Sequence, residues 1–302
     1  YKRHNFRTTV WKNTGIRIRN GYALLARARS LDPVRVSLPA FLLDFPEKAF
    51  VEARLVYDKA KGRYSWHFVL DDGLLPNTAP GNKTLAIDLG EIHPMAVANE
   101  QGQVLIVTAR ELRSLNQYRD KRMAEIDSRI SRCQKGSRMW KRLKRRKRFM
   151  LARNENQCRD IEHKVTRAVT NHAVKEQACR VVVGDIRDIA NGKRLNKNSQ
   201  QKISNWSHGK QVAYLKYKLA AEGIRLERQD EAYSSKTCPA CGSLNKPRGR
   251  NYKCSACGFV GHRDGSAACN QESKALYGQY GKIQPTQTMY LRPFDRRRSS
   301  SV

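Results

Sequence analysis

Residues 1 to about 80 alternate apolar and polar positions over short stretches, among them residues 34–38 and 50–57. Alternation with a period of two predicts strands that bury one face. Residues 58–63, which include a glycine, separate the second stretch from a third at 64–70 and are typical of a hairpin loop. We therefore predict that this part of the chain is an antiparallel β domain, either a small barrel or a sandwich.

A second domain is predicted beyond residues 76–82, which are rich in Pro, Gly and Asn, as linkers are. Three apolar runs then predict an antiparallel meander of short strands, at 84–87, 95–98 and 104–107. The region from about 111 to 177 contains no proline and is interrupted mainly at Gly136 and Ser137. This region is predicted to form a hairpin of two long helices.

The rest of the chain predicts two more strands and two more helices. They are a buried strand at 181–183, a polar loop at 191–201, a helix at 208–221, a strand at 224–228 and a short helix from about Ser266. This order of elements is that of an RNase H-like mixed α/β sheet with insertions. We predict the sheet domain at 81–230, a cysteine-rich insert at 231–262, a last segment of the sheet domain at 263–276, and a basic tail at 277–302.

The charge of the chain indicates a polyanionic partner. Its 302 residues include 59 Lys and Arg against 27 Asp and Glu, a net charge of +32. No run of about 18 apolar residues, signal peptide or lipidation motif is present, which argues against a membrane partner. We therefore expect a nucleic acid as the partner rather than a small-molecule substrate.

Four of the eight cysteines form two CxxC pairs separated by twelve residues: Cys238, Cys241, Cys254 and Cys257. This spacing predicts one tetrahedral Zn²⁺ bound by four thiolates, a structural site with no open position. Free thiols and a redox-active pair are the alternatives. Disulfides are typical of small secreted domains, whereas this chain is long and lacks a secretory signal. We therefore expect the cysteines to bind metal in a reducing cytoplasm. Lys246, Arg248 and Arg250, between the two pairs, would make the zinc ribbon basic.

Two carboxylates at the ends of predicted elements are candidate catalytic residues. Asp88 follows the apolar run 85–87, and Asp264 begins the last helix. Nucleases that use two Mg²⁺ ions need carboxylates from separate segments to converge on the metals. A lone Asp after a strand is more often a turn or a helix cap, so it is the pair that suggests catalysis.

The third acid of such a site is ambiguous, because the strand at 181–183 ends in Gly184 and Asp185. Glu231 lies just beyond the strand at 224–228 and could reach the space beside Gly184 if the two strands are parallel neighbours, roughly 5 Å apart. Asp185 is adjacent in sequence, but side chains alternate between the faces of a strand. Asp188 and Asp230 also remain open.

A dense basic run lies in the predicted helical hairpin. Its members are Arg138, Lys141, Arg142, Lys144, Arg145, Arg146, Lys147 and Arg148. A charged run is usually a solvated helix face. So many like charges one turn apart repel one another unless they are neutralised, which favours contact with phosphates.

Five motifs resemble those of the TnpB (OrfB-type) transposon-encoded proteins, which are related to type V CRISPR effectors. They lie at residues 86–90, 181–186, 233–242, 254–258 and 262–268. The resemblance spans about residues 84–272. The first eighty residues resemble the latter part of the wedge domain of these proteins, a β-barrel, and a further N-terminal stretch is expected before it.

The resemblance implies an RNA-guided DNA endonuclease of bacterial or archaeal cytoplasm, associated with the nucleoid. It would have a RuvC nuclease domain and a zinc-ribbon insert, with a guide RNA from the transposon end and target DNA as partners. Asp88 and Asp264 match the first and third catalytic acids of the family. The second is usually a Glu where this chain has Gly184. Either Glu231 is a relocated acid, or the chain is a nuclease-deficient, RNA-guided DNA-binding protein, a repressor or an inactive remnant.

Overall fold

The computed structural model describes residues 7–58, 62–186, 196–247 and 249–294. The chain divides into two compact units. One comprises Tyr1–Leu75 with Ser128–Ala152, and the other comprises Pro76–Asp127 with Arg153–Val302. The division falls after Leu75, and the linker is predicted at 76–82. The predicted hairpin, however, contributes its turn and the adjoining helix ends to the first unit.

The first unit contains two three-stranded antiparallel sheets, so the prediction of antiparallel β structure is confirmed. Its elements are β1 (Thr9–Lys12), β2 (Ile16–Arg19), β3 (Tyr22–Leu25), β4 (Val34–Ser37), the short helix α1 (Ala40–Leu43), β5 (Phe50–Asp58) and β6 (Arg63–Leu70). The sheet orders are β1-β5-β6 and β2-β3-β4. The alternating apolar side chains of these strands, such as Ile16, Leu25 and Phe50, form one buried cluster.

The second unit is built on one mixed sheet of six strands in the order β11-β10-β7-β8-β9-β14. Its strands are β7 (Lys83–Leu89), β8 (Met95–Ala98), β9 (Gln103–Val107), β10 (Ala178–Asp185), β11 (Arg225–Asp230) and β14 (Gln287–Leu291). β10 runs parallel to both β7 and β11, while β7, β8 and β9 form the predicted antiparallel meander. A separate hairpin of β12 (Asn251–Lys253) and β13 (Val260–His262) lies in the cysteine-rich insert.

The helices cover both faces of this sheet. They are α2 (Arg110–Ser131), α3 (Arg138–Lys175), α4 (Lys197–Asn205), α5 (His208–Ala221) and α6 (Arg263–Tyr277). Val165 and Val169 of α3 join the buried cluster on one face, and Ala268 of α6 joins the cluster on the other. Central strands that are buried on both sides are continuously apolar, which explains why the strand runs were readable in the sequence.

Three predictions about element boundaries were wrong. The predicted polar loop at 191–201 contains the start of α4, and residues 191–195 lie outside the described part of the chain. β7 continues through Leu89, so Asp88 lies within the strand rather than after it. The predicted tail contributes β14, which pairs in parallel with β9 and satisfies the backbone groups of that edge.

Candidate functional site

Three carboxylates from separate segments come together at the carboxyl ends of the parallel strands. Asp88 lies on β7, Asp264 is the second residue of α6, and Glu231 follows β11 directly. Burial raises the pKa of Asp88 well above its ordinary value, and the negative charges of Asp264 and Glu231 raise it further. An effect of this kind requires the three groups to be close in space. The structure therefore brings together the acids that the sequence placed far apart.

Glu231 fills the space that a side chain at position 184 would need. In the parallel pairing of β10 and β11, Gly184 lies opposite Gln229, two residues before Glu231. An ideal Cβ placed on Gly184 would be 3.1 Å from the Cβ of Glu231 and closer still to its Oε2. Because Val183 pairs with Ile87, Gly184 also lies beside Asp88. The Glu231 carboxylate thus lies where a side chain on residue 184 would be.

Two of the competing acids, Asp185 and Asp230, have basic partners of their own. The Asp185 carboxylate is 3.5 Å from Nη1 of Arg228, and its charge acts on Asp230. The carboxylate of Asp230 accepts hydrogen bonds from Lys274 Nζ (3.0 Å) and from the Ala232 N–H (3.1 Å), and these lower its pKa. Alternation along β10 explains the difference between Gly184 and Asp185. Asp188 lies outside the described residues.

Basic and imidazole groups surround Asp264. Its Oδ2 accepts a hydrogen bond of 2.9 Å from Nη1 of Arg250, a residue predicted only as part of a basic ribbon surface. His93 and His262 lie beside it, with their ring centres 5.4 Å apart. Burial lowers the pKa of His93 to about 4, so this imidazole is neutral at physiological pH. Asp264 therefore has two charged partners, Arg250 and, at 4.0 Å from its Oδ1, Nε of Arg263, and it lies beside the neutral imidazole of His93.

His93 is a residue that sequence reasoning missed. It sits in the turn between β7 and β8, where an ideal Cβ on Gly90 would be 2.5 Å from the His93 carbonyl oxygen. Only glycine lets the chain fold back so closely. The signal available in the sequence was a glycine two residues after the candidate acid Asp88, followed by a histidine, and this pattern is too short to be specific.

The four cysteines of the insert form a cluster suited to one metal ion. All four sulfur atoms lie within 4.8 Å of one another, with Cys238 to Cys257 at 3.6 Å and Cys241 to Cys254 at 3.7 Å. A tetrahedral zinc site with Zn–S bonds of about 2.3 Å has sulfur–sulfur edges of about 3.8 Å. The donor set and the distances thus both fit zinc.

The rest of the insert has only a small apolar core around the cysteine cluster. Tyr252 is fully buried against Cys238 and Cys254, and its hydroxyl donates to the Lys236 carbonyl oxygen (3.1 Å). The Asn245 side chain donates to the Tyr252 hydroxyl (3.0 Å) and accepts from the N–H of Ser255 (2.9 Å). So small a core cannot hold the hairpin by itself, and we expect the metal to supply most of its stability.

Two family models match the chain. One, described as a probable transposase, matches residues 57–190, and the other, described as the Cas12f1-like TNB domain, matches residues 208–271. A TnpB-like protein of Methanocaldococcus jannaschii is 27% identical over 125 residues, which are 41% of this chain and 45% of that protein. The chain is similar to TnpB-type proteins and to the type V CRISPR effectors.

Two further proteins are similar to this chain, one in sequence and one in fold. The CRISPR-associated endodeoxyribonuclease Cas12f1 of Sulfoacidibacillus thermotolerans is 28% identical over 112 residues, 36% of this chain and 25% of that protein. A CRISPR-Cas12f ternary complex solved by electron cryomicroscopy is similar in fold, with a TM-score of 0.53 at 16% identity over 87% of this chain and 53% of that one. The chain spans from a quarter to about half of the length of these relatives.

The predicted basic run lies on α3, in the first compact unit. Leu143 is buried, whereas most of the basic side chains around it are exposed. Lys144 lies over the Trp140 ring (5.4 Å) and Arg145 over the Phe149 ring (5.5 Å). These two contacts pack the stems of Lys144 and Arg145 against aromatic rings of the same helix. In the insert, Lys246 is exposed, and Arg248 lies outside the described residues.

No helix among the described residues has the length and apolar character needed to cross a membrane.

Proposed function

We propose that this chain forms the nuclease portion of an RNA-guided DNA endonuclease, with Asp88, Glu231 and Asp264 as its catalytic acids. The observation that carries the proposal is the convergence of these three carboxylates at one end of the sheet, where two of them raise the pKa of the third. Like charges are held together at such a cost mainly where function requires it. The family relationship supports DNA cleavage as that function.

The three carboxylates fit Mg²⁺. Magnesium prefers oxygen ligands, and a divalent cation would relieve the repulsion that raises the pKa of Asp88. Two such ions would supply Lewis-acid stabilisation of the attacking and leaving oxygens in phosphodiester hydrolysis. Asp88, Glu231 and Asp264 would hold them, and Asp264 would exchange its bond with Arg250 for a metal bond.

The protein's own contribution is a rigid frame. Asp88 is fixed within a central strand, and Asp264 is fixed at the start of a helix whose next residues are all buried. Glu231 is held by the turn in which the Ser234 N–H donates to its carbonyl oxygen (3.0 Å). A frame of this kind positions charged ligands before the substrate arrives, which lowers the cost of reorganisation during the reaction.

The other surfaces provide contacts to nucleic acid. The exposed lysines and arginines of α3 would bind backbone phosphates of the guide RNA or of its duplex with target DNA, without reading sequence. The cysteine cluster would hold one structural zinc ion and so shape the insert that carries Lys246 and Arg250. Sequence choice would come from base pairing between guide and target.

The test is Mg²⁺-dependent cleavage of guide-matched DNA by the complex of this protein with its RNA. We expect the wild type to cut, and Asp88→Asn, Asp264→Asn and Glu231→Gln to stop cutting while keeping RNA affinity. Asp185→Asn is the matched control, because it removes a neighbouring carboxylate that does not face Asp88, and it should still cut.

Other outcomes would change the assignment. Cutting by Glu231→Gln but not by Asp185→Asn would make Asp185 the second acid. Binding of matched target by a wild-type complex that never cuts would mean that the chain is a nuclease-deficient, RNA-guided DNA-binding protein.

A further inference from the structure

A cavity of about 480 Å³ lies beside the acidic centre in the second compact unit. Its lining includes three arginines and three aromatic side chains: Arg110, Arg250, Arg292, His93, His262 and Tyr290. We refer to it as the arginine cavity. Its residues come from the turn between β7 and β8, from the start of α2, from the insert, and from the segment around β14 that the sequence presented as a tail.

The positive charge of the arginine cavity favours an anionic ligand. Three guanidinium groups around one space repel one another unless a negative group lies between them. Arg250 is paired with Asp264, and Arg292 is paired with Glu111. In the described part of the chain, no acidic side chain forms an ion pair with Arg110. Arg110 therefore brings a positive charge to the cavity that no acidic side chain of the described residues pairs with.

Buried hydrogen-bonding atoms in the cavity lining support a polar ligand. His93 is only 4% exposed, and its Nδ1 has no hydrogen-bond partner among the described residues. The Nδ1 of His262 is in the same situation. The rings of both histidines pack edge-on to Tyr290, with centres 6.3 and 6.1 Å away. Buried polar atoms without partners are uncommon in proteins and mark places where a water molecule or a ligand is expected.

The position of the cavity identifies the anion. Arg250 lines the cavity and also bonds Asp264, so the arginine cavity and the acidic centre share a wall. A DNA strand with one phosphate at the acids carries further phosphates only a few ångströms away along its backbone. Guanidinium groups match phosphate oxygens in both charge and geometry.

We propose that the arginine cavity binds a backbone phosphate of the DNA strand that is being cut, within a few nucleotides of the scissile phosphate, through Arg110 and Arg292. This inference rests on the proposed nuclease function and adds a substrate subsite to it. Binding one phosphate there fixes the register of the strand over Asp88, Glu231 and Asp264, so the subsite acts by positioning.

The test is cleavage of targets in which single phosphates near the cut are replaced by neutral methylphosphonates. We expect one position, other than the scissile phosphate, at which the replacement lowers kcat/KM about tenfold or more in the wild type. Arg110→Gln should lower kcat/KM on ordinary DNA by a similar factor and should abolish the extra penalty at that position. Arg110→Lys, which keeps the charge, should restore part of the rate.

The matched control is Arg225→Gln, which removes an exposed arginine from β11 at the opposite edge of the sheet. It should leave both the rate and the pattern of penalties unchanged. Arg292→Gln is a second variant, interpreted only if its thermal unfolding matches that of the wild type, because Arg292 also pairs with Glu111. Penalties that are identical in wild type and Arg110→Gln at every position would overturn the proposal.

Failure of the nuclease assignment is distinguishable from failure of the subsite. If the wild type does not cut, the same series of targets is titrated for binding; a position-specific loss of affinity that disappears in Arg110→Gln supports the subsite. Alternatively, His93, His262 and Asp264 could hold a metal ion. Stoichiometric Mn²⁺ binding that is lost in His93→Ala, with no position-specific penalty, would overturn the phosphate subsite in favour of a metal site.

Discussion

The placement of Glu231 over Gly184 can be tested by adding one methyl group. In Gly184→Ala the new Cβ would lie 3.1 Å from the Cβ of Glu231 and nearer still to its Oε2. Gly184 lies in a strand and does not need a positive φ, so alanine suits the backbone itself. The substitution therefore acts on the Glu231 carboxylate and on little else.

The expected effect on activity is large and the expected effect on stability is small. Restoring ordinary van der Waals contact requires the carboxylate to withdraw by roughly 1 Å. A displacement of this size in a reacting site costs on the order of 100-fold in rate. Replacing glycine by alanine within a strand, by contrast, stabilises the fold by about 0.5–1 kcal/mol, which offsets part of the cost of moving Glu231.

The assay compares single-turnover cleavage rates and thermal unfolding of Gly184→Ala with those of Gly209→Ala. An ideal Cβ on Gly209 meets nothing within 4 Å, so this control adds the same methyl group without a contact. We expect only Gly184→Ala to lose cleavage, and neither variant to unfold much earlier than the wild type. Gly184→Glu combined with Glu231→Ala should recover part of the activity. Full cleavage by Gly184→Ala would show that Glu231 need not lie over Gly184.

Three further predictions address the rest of the molecule. Metal analysis should find one zinc ion per chain. Removal of this ion by a chelator should unfold the insert and make the chain around Tyr252 sensitive to protease. An insert that stays resistant to protease without zinc would contradict this prediction. Burial raises the pKa of Glu272 to about 8. Between about pH 4.5 and pH 8 the folded state therefore keeps a proton that the unfolded state releases. The free energy of unfolding should fall as the pH rises through this range. Denaturant titrations should show that Glu272→Gln has the same free energy of unfolding as the wild type near pH 4. At pH 8 the variant should lack the wild type's loss of stability, which is on the order of 4 kcal/mol. Arg145→Gln with Arg146→Gln should weaken RNA binding at every sequence and reduce its logarithmic salt slope by about two, whereas equal loss at all salt concentrations would exclude phosphate contact.

The sequence predicted the fold well where local patterns determine structure. Buried strands such as β7 and β10 are continuous apolar runs, and the long helices lack proline and are interrupted at Gly136, whose φ is 86°. β14 could not be predicted in this way. Its five residues are mostly exposed and owe their strand conformation to pairing with the edge of β9. Such a strand is specified by its partner rather than by its own pattern.

The candidate site was predictable to the extent that it depends on topology. Parallel pairing of β10 and β11 brings Glu231 beside Gly184, and that pairing follows from the order of elements. The arginine cavity was not predictable, because Arg110 and Arg292 are single charges in a chain with 59 basic residues. Only the tertiary structure distinguishes these arginines from charges that face solvent.

One buried side chain links the acids to the cysteine cluster. Asn270 lies on α6, the helix that begins at Asp264, and donates hydrogen bonds of 2.8 Å to the carbonyl oxygens of Ser234 and Thr237. These residues join Glu231 to the first cysteine of the cluster, Cys238. Loss of the metal would release one end of this segment, and Glu231 would lose part of the support that places it beside Asp88. Zinc is therefore expected to affect cleavage without touching the substrate, because it would fix the segment that carries Glu231, the proposed second acid.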